Sequence, residues 1–249
     1  ELMPHAPDDP LVKAAYEALI NETNAQFRKI LDAGLTIRFI KGEDPYGNPR
    51  NAILDVVNNN NMFVFSTRDG FGSNEDVAES LKDNPLLQET EFVTADGEPM
   101  LANDVFRVVH DYFGHIKNGV GFRARGEENA WQSHAAMYSP LARRALTTET
   151  RGQNSWVNFG PYGEFNRTAS PADTIYADQK IGLLPLWVSL QGRLSDERYK
   201  SDVTGERYTD GLQGAIGSDG LLELSHYSNN RVYRNQPELA GTGADRWAN

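Results

Sequence analysis

The segment Asn103 to His115, N-D-V-F-R-V-V-H-D-Y-F-G-H, restricts the fold of this chain more than any other stretch. Asn103 suits a helix N-cap, and Asp104 suits the positive end of the helix dipole. Phe106, Val109 and Phe113 recur at helical spacing and should face a core, which puts His110 late in a mostly buried helix. His110 and His115 are five positions apart, with an acid and a glycine between them. On a regular helix such positions lie about 140° apart, against about 40° for the i, i+4 histidines of a zincin helix. Both side chains reach one metal only if the helix ends or distorts between them. Gly114 permits this, because glycine accepts the backbone angles of a helix C-terminus at no steric cost. The segment therefore fits a two-histidine metal site that is not a regular zincin helix.

Ser139-Pro140 reads as a second well-marked helix start, serine as N-cap and proline at the first helical position. Leu141, Ala142, Ala145 and Leu146 then carry Glu149 to the inner face of a packed helix. A carboxylate there costs several kcal/mol unless it is paired or metal-bound, so Glu149 is expected to have a partner. Glu127 and Glu128 open the preceding helix, where favourable interaction with the helix dipole accounts for them; Glu128 is the rival third ligand. His134 reads as a core histidine or a support for a ligand. The stretch Gln153 to Phe165, Q-N-S-W-V-N-F-G-P-Y-G-E-F, is suited either to wall a pocket or to pack as an Ω-loop.

The motif H-D-Y-F-G-H resembles the H-E-L-L-G-H of the pterin-dependent aromatic amino acid hydroxylases, whose two histidines bind non-haem iron. Thr147 to Gly152, T-T-E-T-R-G, is similar to that family's third-ligand stretch, and Ile181 to Leu184 echoes its G-L-L segment. The main resemblance spans roughly Asn103 to Gly152. It implies a 2-His-1-carboxylate site of His110, His115 and Glu149 holding Fe(II), with open positions for O2. It further implies an aromatic or related small-molecule substrate, a tetrahydropterin reductant, and Asp111 as an orienting catalytic group. Trp156, Phe159, Tyr162 and Trp187 become candidates for the substrate pocket.

The rest of the chain predicts an α+β domain, mostly helical with a small β-sheet, of the hydroxylase catalytic type. A helix is expected over Leu11 to Ala33, with Asp9-Pro10 as its start, a stripe of Val12, Tyr16, Leu19, Phe27, Ile30 and Leu31, and Gly34 as its stop. Leu35 to Ile40 and Met62 to Ser66 read as strands of a small sheet or hairpin, and Ala52 to Val57 as a short strand or helix. A short helix over Glu75 to Lys82 and a strand over Glu91 to Thr94 follow. Later helices are expected over Glu127 to Tyr138, Ala172 to Gln179 and Ile181 to Leu194, with a loosely packed extension over 195–249 of a single domain 1–249.

A hydrophobic content of 39% supports a real core, and the absence of cysteine excludes disulfides, thiolate metal sites and thiol nucleophiles. A net charge of −11 argues against nucleic acid as a partner, although Arg143, Arg144 and Arg151 cluster near Glu149; these read as a solvated helix face. No membrane-spanning run or signal peptide is visible, and a cytoplasmic setting is expected. The glutamate at position 1 fits a piece of a longer polypeptide. Two other readings stay open: a zinc hydrolase using the same histidines, and a non-catalytic domain with structural histidines.

Overall fold

A computed structural model describes residues 2–46, 48–70, 83–169 and 173–190. The described residues are mostly helical, with two small strand pairs. Helix α1 (Pro10–Asp32) is the backbone of the fold. The Asp9 carboxylate accepts hydrogen bonds from the Leu11 and Val12 amides, and Pro10 occupies the first turn. Gly34 follows in the left-handed region at φ 86°, and its amide closes on the Leu31 carbonyl. Val12, Tyr16, Leu19, Phe27 and Ile30 are buried as the stripe requires, whereas Leu31 lies outside it and is exposed.

Strand β1 (Thr36–Phe39), helix α2 (Pro49–Asn59) and strand β2 (Asn61–Val64) form a β-α-β unit, and the two strands pair in parallel, Ile37 opposite Met62. Of the two expected arrangements, a small sheet or a hairpin, these strands form the sheet. Ala52 to Val57 lies in α2, and a parallel pair needs such a crossover. After a single helical turn α3 (Thr67–Gly70) and a short 3-10 turn, β3 (Glu89–Val93) and β4 (Pro99–Leu101) pair antiparallel around a turn at Gly97.

Helix α4 (Ala102–His110) is followed by α5 (Ala124–Ala135), α6 (Pro140–Thr147), α7 (Gln153–Phe159), α8 (Gly163–Asn166) and α9 (Leu186–Leu190). The Asp104 carboxylate, fully buried, accepts from the Leu101 and Thr67 amides and from the Thr67 hydroxyl. It thereby locks the start of α4.

Two cores meet along α1 and α4. The first half of α1 packs with Trp131 and Ala135 of α5 and with Ala142, Ala145 and Leu146 of α6. The second half packs Phe27 and Ile30 against both strand pairs and against Val105, Val108 and Val109 of α4.

Other expectations are corrected. Residues 174–180 are irregular chain rather than helix, because Asn166 takes their hydrogen bonding: its amide donates to the Ile175 carbonyl and its oxygen accepts from the Ile175 amide. The stretch 181–185 is also non-helical. Its Ile181 amide donates to His5, its Ile181 carbonyl accepts from Ala6, and the carbonyls of Gly182 and Leu184 accept from Thr148 and Arg144. Helix begins only after Pro185. The aromatic stretch after Gln153 is two short helices rather than an Ω-loop. The expected helix over Glu75 to Lys82 and the extension over 195–249 lie outside the described residues. Among the described residues, no helix is long and apolar enough to cross a membrane.

Candidate metal centre

Helix α4 does not stop after His110. It continues as a π-helical turn over Asp111–Ile116. A π turn closes i→i+5 hydrogen bonds, so residues five apart come nearly into line. The His110 and His115 rings consequently lie 5.1 Å apart, centroid to centroid. Distortion was required by the spacing, but Gly114 acts differently from the expected helix stop, since it is not among the positive-φ residues. A Cβ on Gly114 would sit 3.0 Å from the Ala130 Cβ, so glycine lets the π turn lie against α5.

The carboxylate that lies against both histidines is that of Glu127. Its Oε2 lies 3.6 Å from His110 Nε2 and 3.4 Å from His115 Nε2, and ligand atoms of the three residues fall within 4.8 Å of one another. Glu127 stands in the first turn of α5, and that turn is fixed by Gly126. A Cβ there would come within 1.6 Å of the Gly121 carbonyl oxygen. The same carbonyl faces His115 Nδ1 at 3.1 Å. One close backbone approach thus sets both an acid and the orientation of a histidine.

The hydrogen-bonding partners fix where the ring protons sit. A carbonyl only accepts, so His115 carries its proton on Nδ1 and presents a bare Nε2. The Gln26 amide nitrogen donates to the Met137 carbonyl, which turns Gln26 Oε1 toward His134 Nε2 at 3.1 Å. His134 is therefore protonated on Nε2. Burial, then the charges of His110 and His115, push it well below the usual histidine range and keep it neutral. Its Nδ1 must accept, and His110 Nδ1 donates to it across 3.2 Å. That leaves His110 Nε2 facing Glu127. The two imidazole Nε2 atoms and a carboxylate converge, and buried His115 Nε2 has no hydrogen-bond partner. A cation satisfies such a set. In its absence, protonation is the alternative. Burial opposes the charged form of His115, but the Glu127 carboxylate outweighs it and raises His115, while the histidine charges hold Glu127 well below its usual range.

Two rings pack on the histidines: Phe122 stacks on His115 at 4.2 Å and Phe106 on His110 at 6.0 Å. The centre opens on a cavity of about 400 Å³, whose walls include these two rings together with His110, Asp111, Glu127, Glu149 and Tyr176. Asp111 is within electrostatic reach of both histidines and Glu127; burial raises its carboxyl and the histidine charges oppose that.

Glu149, the third ligand implied by the family resemblance, is not in the three-residue group. It lies on a second π-helical turn (Thr148–Gly152) and accepts a hydrogen bond from the Tyr16 hydroxyl. It has the partner that its burial demanded, but the partner is a phenol. Glu128 points away and forms a two-pronged pair with Arg151, whose guanidinium lies over Trp131 at 4.2 Å. The arginine cluster is not a solvated face: buried Arg143 donates to the Ala135 and Tyr138 carbonyls and so caps the end of α5. Trp156 and Tyr162 wall a second cavity that also reaches Glu149. Phe159 lines a different hollow beside Glu128, and Trp187 is exposed and does not line the cavity of Glu149.

The chain matches no protein-family model, no curated protein and no solved structure.

Proposed function

We propose that this chain is a non-haem Fe(II)-dependent monooxygenase whose ion is held by His110, His115 and Glu127. One observation carries the reading. Three potential donors, two imidazole nitrogens and a carboxylate, converge at the rim of a cavity. That is the 2-His-1-carboxylate donor set, which leaves coordination positions open on the cavity side. The buried, unpartnered His115 Nε2 is the atom such an ion would satisfy.

Fe(II), when bound, would supply the binding and activation of O2. The rest falls to the chain. Gly121 and His134 hold the ring tautomers, Phe106 and Phe122 pack on the two imidazoles, and Asp111 orients an imidazole or a water. An aromatic or related substrate would enter by the open cavity and exchange a C–H for a C–OH. The second oxygen atom leaves as water, with two electrons drawn from a reduced tetrahydropterin, the donor that the family resemblance suggests.

The test begins with protein purified without added metal. Stoichiometric iron is expected, together with tetrahydropterin-dependent oxygen uptake. His110→Ala and His115→Ala should each lose the metal while circular dichroism stays native. Stoichiometric zinc without oxygen uptake would instead favour hydrolysis by the same residues, and no metal at all would leave the histidines structural.

A further inference from the structure

The two cavities are neighbours. Each is about 400 Å³, and their walls share Glu149, Gln153, Val157, Tyr176 and Gln179. The chamber on one side carries His110 and Glu127, and the chamber on the other carries Trp156, Tyr162 and Lys180. Glu149 stands where they meet. One of its carboxyl oxygens is engaged by Tyr16, which is almost fully buried and sits on α1 behind the cavity wall. No cation pairs with Glu149 among the described residues. A carboxyl so placed can hold a proton and offer it to whatever spans the chambers.

We propose that Glu149 is the proton-exchanging group of this site, positioned by Tyr16, and not a metal ligand. The ligand it serves is a small organic molecule long enough to reach from the rings of Trp156 and Tyr162 to the His110–His115–Glu127 centre, with an oxygen or nitrogen atom at the junction. Glu149 gives the proton of its O–H to that atom, and the resulting carboxylate recovers a proton from solvent in the open cavity. Burial, opposed only in part by the Tyr16 hydrogen bond, lifts the Glu149 carboxyl to about 7, so both forms are populated near neutrality. The metal reading enters only through the statement that Glu149 is not a ligand.

Infrared difference spectroscopy of the metal-free chain tests the proton. Below the Glu149 value of about 7 a carboxylic C=O band should be present, and it should disappear above it. Glu149→Gln should remove the band. Asp111→Asn should not. Tyr16→Phe, which takes away a donor to the carboxylate, should keep the band to higher pH. Transfer to D2O should shift the band within the mixing time, because the carboxyl faces cavity water. A band that stays unshifted, or that survives Glu149→Gln, overturns the proposal.

Cobalt(II) titration tests the ligand question. Glu149→Gln should bind as tightly as the wild-type chain within about threefold, whereas Glu127→Gln should lose at least about a hundredfold. A loss at Glu149→Gln equal to that at Glu127→Gln overturns the proposal. Wild-type protein that binds no cobalt would count against the proposed function, and the infrared experiment would still decide the role of Glu149.

Discussion

A neutral imidazole has one lone pair to offer, so the tautomer of His110 decides whether it can be a ligand at all. That tautomer is set two residues away, through His134 to Gln26. His134→Ala should therefore weaken metal binding by about 10- to 100-fold without touching the metal, the size usual for an outer partner of a ligand. Glu128→Gln should leave affinity nearly unchanged, because Glu128 belongs to Arg151. Cobalt titration of the two variants checks both; equal losses would mean that the His134 chain has no role in orientation. At this scale the pairing of the two histidines was legible, since an i, i+5 spacing needs a distorted helix to bring the rings together and the chain has one there. Glu127 was not. An acid in the first turn of a helix is already explained by the dipole, and that explanation hid it. The signal that could have found it is Gly126, a glycine just inside a helix, where a close approach is the usual reason for glycine.

The site depends on elements that break the regular helix period. Both π turns, Asp111–Ile116 and Thr148–Gly152, supply cavity residues, and such bulges are frequent at functional sites. Apolar spacing marked the long helices well, as in α1. It could not show one residue inserted into a turn, nor that Asn166 would draw residues 174–180 out of helix. The parallel pairing of β1 and β2 was hidden likewise, because the short α2 between them looked equally like strand. Close packing at Gly126 gives a prediction for this scale. Gly126→Ala forces α5 away from Gly121, moving Glu127 and the carbonyl that orients His115 together. The cost should be about 1–3 kcal/mol or more by urea denaturation, with metal affinity lost in parallel. Gly34→Ala is the control. It strains a left-handed residue with open space around it, so it should cost about 1–2 kcal/mol and leave metal affinity unchanged.

For the whole molecule, the two cores share α1, and the same helix carries Tyr16 to Glu149 and Gln26 to His134. Folding therefore assembles the supports of the site from a segment that lies more than a hundred residues away in the chain, a relation that local sequence pattern does not encode. It also ties stability to pH. In the unfolded chain Glu149 titrates near its ordinary value of 4.5, and in the folded chain it titrates at about 7. Below the lower value it is protonated in both states and contributes nothing. Between the two values the folded state keeps the proton that the unfolded state has released, so raising the pH favours unfolding. Above the higher value the cost levels off, and the difference corresponds to about 3 kcal/mol. Glu149→Gln removes this cost while the Tyr16 hydroxyl keeps an acceptor. His115 and Glu127 contribute their own slopes, equally present in both proteins, so the comparison isolates Glu149. In metal-free protein the stability gained by Glu149→Gln, read from urea midpoints, should grow as the pH rises through about 5 to 7 and then stay constant. A gain that is flat across this range would mean that Glu149 is ionised in the folded state throughout, with a partner other than Tyr16.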